Sequence, residues 1–273
     1  TVDCVIEVHD ARIPFIGRNQ TFKHHLGLIK PHILVLNKVD LADLSRWDSI
    51  QRRLQEQGDE NIVLTNLTGD EFSYNQRGYD TLLKKAITLI SKSDRHNREL
   101  LAGYNIMIVG IPNVGKSTLI NRLRQHHLGF GGKASRTGSQ AGVTRHVEER
   151  VKICGRPLIY TLDTPGVLRP SETRNHKKAM DLALCSAIND KVLKPMDLAS
   201  HLLDYLNKTE NDMYLEPMGL KDPAKDVFDL CKKSLEASVS LKQGNGPPMS
   251  YDAVCWRLVR LFRSGRLGKV IFL

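Results

Sequence analysis

The sequence predicts a three-layer α/β architecture with a mostly parallel sheet, followed by a small all-helical domain. Three observations carry this. Strand-sized apolar runs alternate with amphipathic stretches over the first two-thirds of the chain, a pattern that calls for crossover helices on a parallel sheet. A glycine-rich turn stands between one such strand and the helix after it. Beyond Gly166 the strand signals stop and only helix-period segments remain.

In order, residues 2–8, 33–36, 62–65, 105–109, 146–153 and 158–162 read as strands, being short and rich in Val and Ile. Between them, residues 46–57, 79–92 and 116–125 carry apolar side chains at i, i+3, i+4 spacing and read as helices. Residues 129–139, dense in Gly, Ser and basic side chains, predict a loop. Residues 180–189, 195–207, 224–242 and 251–264 read as helices, with residues 243–248 as a loop among them. The change in texture places a boundary near 185–195 and divides the chain into 1–190 and 191–273.

The chain has 273 residues, room for one large or two moderate domains. Its 41% hydrophobic content is that of an ordinary globular core, and the mean hydropathy of -0.31 agrees. The longest apolar runs, residues 33–36 and 106–109, fall far short of the ~20 residues of a membrane span. A net charge of +10 fits a polyanionic partner, nucleic acid or an anionic membrane surface, and equally a general basic bias with no dedicated site. Five scattered cysteines without a C-x-x-C pair form neither a disulfide framework nor a zinc site. Thr1 leads at once into a strand, so a preceding segment with any targeting peptide is expected.

The strongest local signal is Gly110-Ile-Pro-Asn-Val-Gly115-Lys116-Ser117, a G-x-x-x-x-G-K-[ST] loop in its required strand-to-helix setting. Its glycines let successive N–H groups point at phosphate oxygens, and the helix N-terminus adds partial positive charge. Asn113, Val114, Gly115, Lys116, Ser117 and Thr118 are therefore expected at the phosphates. Lys116 would neutralise charge and Ser117 would ligate Mg2+. Asn37-Lys38-Val39-Asp40 follows an apolar strand. There the Asp40 carboxylate can accept from both N1–H and the exocyclic amine of guanine. ATP would leave that buried carboxylate unpaired, at a cost in discrimination of roughly 10⁴-fold. Asn37 would support the loop and contact the base, and the Lys38 stem would cover the base's face. Asp163-Thr-Pro-Gly166 ends another strand; Asp163 suits the magnesium shell, and the Gly166 N–H suits the γ-phosphate. Thr144, between the two phosphate motifs, suits the switch threonine that completes the metal shell.

The order is the informative part. Conventional GTPases run P-loop, switch threonine, D-x-x-G, N-K-x-D, whereas here N-K-x-D comes first. The permuted order, Asp10-Ala-Arg-Ile-Pro14, N-K-x-D, G-x-P-N-V-G-K-S and D-T-P-G-V together resemble the circularly permuted ribosome-assembly GTPases of the YlqF/RbgA type, in particular their mitochondrial members, over about residues 1–190. The resemblance implies a permuted P-loop GTPase domain, GTP and GDP as ligands with Mg2+, and maturation of the large ribosomal subunit in contact with its rRNA. It also implies the mitochondrial matrix, or the matrix face of the inner membrane, as the place. Ala141 stands where the family has Pro, and Thr65-Asn66 stands where the last guanine-contacting loop often has Ser-Ala.

For hydrolysis, Lys116, Asn113, Thr144 and Gly166 are the expected catalytic group. Val167 occupies the place where many GTPases carry a water-orienting Gln, which predicts slow turnover raised by the ribosome. Asn113 is the residue type that in related GTPases helps hold K+ against the phosphates. Lys133 and Arg136 in the basic loop, and Arg257, Arg260, Arg263 and Arg266 near the end, are the expected RNA contacts. A GTP-dependent RNA-binding placeholder with negligible hydrolysis is the competing function; Asp40 argues against a P-loop ATPase.

Overall fold

The structure is a computed structural model that describes residues 2–18, 30–68, 72–93, 103–129, 150–163, 174–241 and 250–273. Among the described residues six strands form one sheet: β1 (Cys4–Asp10), β2 (His32–Asn37), β3 (Ile62–Thr65), β4 (Tyr104–Val109), β5 (Val151–Cys154) and β6 (Ile159–Asp163). Their spatial order is β3-β2-β1-β4-β6-β5, with β5 antiparallel to β6 at one edge and the other pairs parallel. The strand expected over 146–153 is described only from Val151, residues 146–149 lying outside the described residues.

Eight α-helices are described: α1 (Trp47–Glu56), α2 (Phe72–Ser91), α3 (Lys116–Leu128), α4 (His176–Leu184), α5 (Pro195–Lys208), α6 (Leu215–Met218), α7 (Val227–Leu241) and α8 (Tyr251–Arg263), with a 3-10 turn at Asp190–Val192. Their ends follow local chemistry. Asn175 caps α4 by accepting from Lys178 N, Ser250 caps α8 by accepting from Ala253 N, and Pro195 opens α5. The helix expected over 180–189 ends at Leu184 instead, because Ser186 turns the chain at φ +63°. The loops expected over 129–139 and 243–248 lie, apart from Gly129, outside the described residues.

Strand alternation divides the core. Ile33 and Val35 face one side with Ile6, Val8, Ile106 and Ile108, and that side continues into buried residues of α2–α8. Leu34 and Leu36 face the other with Ile50 and Leu54 of α1, joined by Ala11, Ala42 and Ile271. Near the chain's end, Ile271 thus packs beside the strand ends that carry the nucleotide motifs.

Candidate nucleotide-binding site

Parallel strands bring their C-terminal ends to one edge, where α/β sheets bind ligands. Here that edge gathers Asp10, Asn37, Thr65 and Gly110, with Asp10 opposite Asn37 and Asn37 opposite Thr65 in register. The P-loop curls tightly. At φ +150° Gly110 has no room for a Cβ, which would fall 2.1 Å from the Val8 carbonyl oxygen. Asn113 and Gly115 also take positive φ, and Gly115 lies so close to Asn37 that a Cβ would meet its amide at 2.5 Å. α3 starts without a side-chain cap and with no acidic residue in its first turn, leaving its N–H groups and positive end to an anion. Lys116 is buried and its Nζ folds back to donate to the Ile111 carbonyl oxygen at 3.0 Å.

Asn37 joins the loops. Its buried amide donates to Val114 O of the P-loop at 2.8 Å, while its Oδ1 accepts from Leu67 N at 3.1 Å and Thr65 Oγ1 at 3.3 Å. Lys38, at φ +63°, reaches Asp10 at 2.9 Å. Asp10 also receives a two-pronged bond from Arg12 at 3.0 and 2.8 Å. Burial by itself would raise the Asp10 carboxyl, but Lys38 and Arg12 outweigh it and hold the group well below the usual carboxylate range. Asp40 is exposed at the end of the N-K-x-D motif. Asn66 closes an Asx turn onto Thr68 at 3.2 Å, and Val39 N donates to Thr65 O, so the third strand-end loop is tied to N-K-x-D.

The helices after the sheet touch this site twice. Asn113 Nδ2 donates to the Ser186 carbonyl oxygen at 2.8 Å, linking the P-loop to the turn after α4. Beyond α8, Val270 N donates to Leu41 O at 3.1 Å, Asp43 N donates to Val270 O at 3.4 Å, and Phe272 N donates to Arg12 O at 2.7 Å. Sequence reasoning missed these contacts because they engage backbone groups. Asp10 stands in the Asp10-Ala-Arg-Ile-Pro14 motif quoted from the sequence, but its pairing with Lys38 could be seen only once β1 and β2 lay side by side.

Of the expected RNA contacts, Arg257, Arg260 and Arg266 are exposed and line a cleft of about 460 Å³ with Pro217, Leu261 and Ser264. Arg263 is a correction. Half-buried, its guanidinium donates to Asp190 at 2.7 and 2.8 Å and to the Ala183 and Leu184 carbonyls, so it is engaged in capping α4 rather than standing free for RNA. Thr144, Gly166, Val167, Lys133 and Arg136 lie outside the described residues, while Asp163 ends β6, where its register partner is Ile108. Glu7, His32 and Asp59 cluster closely enough to ligate a metal, but Arg18 already sits among them, bonded to Glu7 at 2.9 and 2.8 Å and to Asp59 at 2.6 and 3.0 Å.

A family model described as "50S ribosome-binding GTPase" matches residues 105–233. The chain is similar to "Mitochondrial ribosome-associated GTPase 1" of Mus musculus, 42% identical over 280 residues, covering 99% of this chain and 83% of that relative. It is also similar to "Ribosome biogenesis GTPase A" of Bacillus pumilus, 29% identical over 274 residues, covering 99% of this chain and 90% of the other. In fold it resembles GNP-bound YlqF from T. maritima, with TM-score 0.59 at 22% identity over 99% of this chain and 92% of that one. Identity of this extent, on a sheet edge that assembles the P-loop and the N-K-x-D loop, makes the chain a member of the circularly permuted, ribosome-associated GTPase family that these relatives represent.

Proposed function

We propose that this protein binds GTP, hydrolyses it, and acts as an assembly factor for the large ribosomal subunit in mitochondria. The observation that carries the reading is Asn37, whose single buried amide joins the N-K-x-D loop, the P-loop and the Thr65–Leu67 loop at one sheet edge. On this reading the backbone of Asn113–Thr118 cradles the phosphates, Lys116 leaves Ile111 O for phosphate oxygens, and Asp40 with Val39 recognises the base. Thr65 and Asn66 close its far side.

The residues present suit magnesium in kind: Ser117 lies half-buried in the first turn of α3, a hydroxyl donor at the phosphate loop. Ser117, Asp163 and Thr144 would hold the ion, which when bound offsets charge on the β- and γ-phosphates. Asn113, in the P-loop at positive φ, would help hold potassium against the phosphates. Gly166 would report the γ-phosphate. Lys133, Arg136, Arg257, Arg260 and Arg266 would contact rRNA. We place the work in the matrix, with a peripheral contact at the inner-membrane face; no helix among the described residues is long and apolar enough to cross a membrane.

Val167 after D-T-P-G favours a second reading, a GTP-dependent placeholder on RNA. Hydrolysis measured with purified large subunits, in potassium and in sodium, separates the two. Stimulation of about 10³-fold or more that disappears in Lys116→Ala supports the switch. A flat rate beside tight, GTP-dependent subunit binding supports the placeholder.

A further inference from the structure

The cleft lined by Arg257, Arg260 and Arg266 contains no carboxylate among its lining residues, and Ser264 adds a hydroxyl. Three guanidinium groups around about 460 Å³ suit phosphate oxygens of a nucleic-acid backbone. The path of the chain beyond the cleft is the less expected feature. α8 ends at Arg263, and Gly265 reverses the chain at φ +78°, so close to the N-K-x-D loop that a Cβ would fall 2.6 Å from Leu41 Cδ2. Arg266 then returns to the cleft, its N–H donating to Leu261 O at 3.0 Å. Four residues later Val270 exchanges two backbone hydrogen bonds with Leu41 and Asp43, at 3.1 and 3.4 Å. Leu41 directly follows Asp40. Ile271 packs with Ala42, and its carbonyl accepts from Tyr205 Oη at 3.1 Å.

A second route ends at the same loop. Phe262, next to Leu261 of the cleft, lies under the Arg12 guanidinium at 5.1 Å; Arg12 holds Asp10, and Asp10 holds Lys38. Both routes end at residues 38–43, read above as the base loop, and among the described residues neither passes through the P-loop.

We propose that the arginine cleft is an RNA-phosphate site coupled through residues 265–273 to the guanine-binding loop, so that RNA bound there changes the affinity for GDP and GTP by the same factor. The proposal rests on the reading of N-K-x-D as the base loop and of the cleft as an RNA contact. It gives the protein a control over nucleotide exchange that is blind to the γ-phosphate. Linkage makes it reciprocal: either nucleotide changes RNA affinity by that factor.

The test titrates fluorescent GDP and a non-hydrolysable GTP analogue into the full chain, with and without a mixed-sequence 20-nucleotide RNA. An equal shift of about five-fold or more for both nucleotides is expected, within the usual range for coupled sites. Val270→Pro removes the donor to Leu41, and Gly265→Ala crowds Leu41; neither touches an arginine, and each should reduce the shift towards one while RNA still binds. Gly265→Ala is the milder change and is read if Val270→Pro does not fold. RNA binding that leaves both nucleotide affinities unchanged, or shifts only the GTP analogue, overturns the coupling. RNA binding unaffected by Arg257→Ala/Arg260→Ala/Arg266→Ala overturns the cleft as the RNA site. Failure of the wild type to bind either guanine nucleotide would instead strike at the base-loop reading.

Discussion

Asn37 divides one amide among three loops, and that division is where the site is most exposed to a single change. Removing the side chain leaves Val114 O and Leu67 N without their partner in a buried place. Each such buried group costs about 1–3 kcal/mol. Asn37→Ala is therefore expected to weaken GDP binding about ten-fold or more, read by calorimetric titration, with the P-loop lysine still present. Unchanged affinity would mean the loops hold their positions without this amide. The role of Asn37 was only half legible in sequence. N-K-x-D behind an apolar strand points to a base loop, but Leu67 and Val114 are 30 and 77 residues away and meet it only because β3 and β4 lie in the same sheet.

Among elements, the buried ionic cluster binds β1, β2 and the turn before β3 together. Arg18 holds Glu7 and Asp59, and His32 adds a contact to Glu7 at 3.1 Å. Burial by itself would raise the Glu7 carboxyl, yet Arg18 and His32 outweigh it and keep it well below the usual range. A carboxyl depressed in the folded state stabilises fully above its unfolded pKa of about 4.3, and that stability is lost as pH falls towards the folded value. Asp10 behaves likewise. The melting temperature should thus decline as pH drops below about 4. Glu7→Gln should cost about 3 kcal/mol at pH 7 in urea unfolding, because it strands part of a buried guanidinium. It should also flatten the acid slope. A loss under about 1 kcal/mol would show that Asp59 alone satisfies Arg18. The sequence marked these strands and helices well, since each is a short periodic run, but gave no sign that Glu7, Arg18, His32 and Asp59 meet.

At the scale of the molecule, the C-terminal helices do more than follow the sheet. Arg263 fastens α8 to the end of α4, one residue before the turn whose Ser186 carbonyl holds the P-loop Asn113. This separates it from its exposed neighbours. Arg263→Ala should lower stability by about 1–2 kcal/mol through the uncapped carbonyls, with the part-exposed Asp190 pair adding little. It should leave the salt dependence of RNA binding unchanged. Arg260→Ala should do the reverse, reducing the slope of log affinity against log salt by about 1 with stability nearly constant. Filter binding across a salt series, beside thermal melts, checks both; equal salt slopes for the two variants would return Arg263 to the RNA face.

The sequence by itself determined the α/β class, the permuted order of the motifs and the turn that links β4 to α3. Those features are local: a glycine that must take positive φ, an acid after a strand, an apolar period of two or of 3.6. The tertiary structure alone decided that Arg263 reaches the end of α4, that Asn113 reaches Ser186, and that residues 270–272 lie against Arg12 and the N-K-x-D loop. These depend on backbone carbonyls and N–H groups brought together across 70 to 230 residues of chain, which every residue type supplies alike and no sequence pattern can therefore announce.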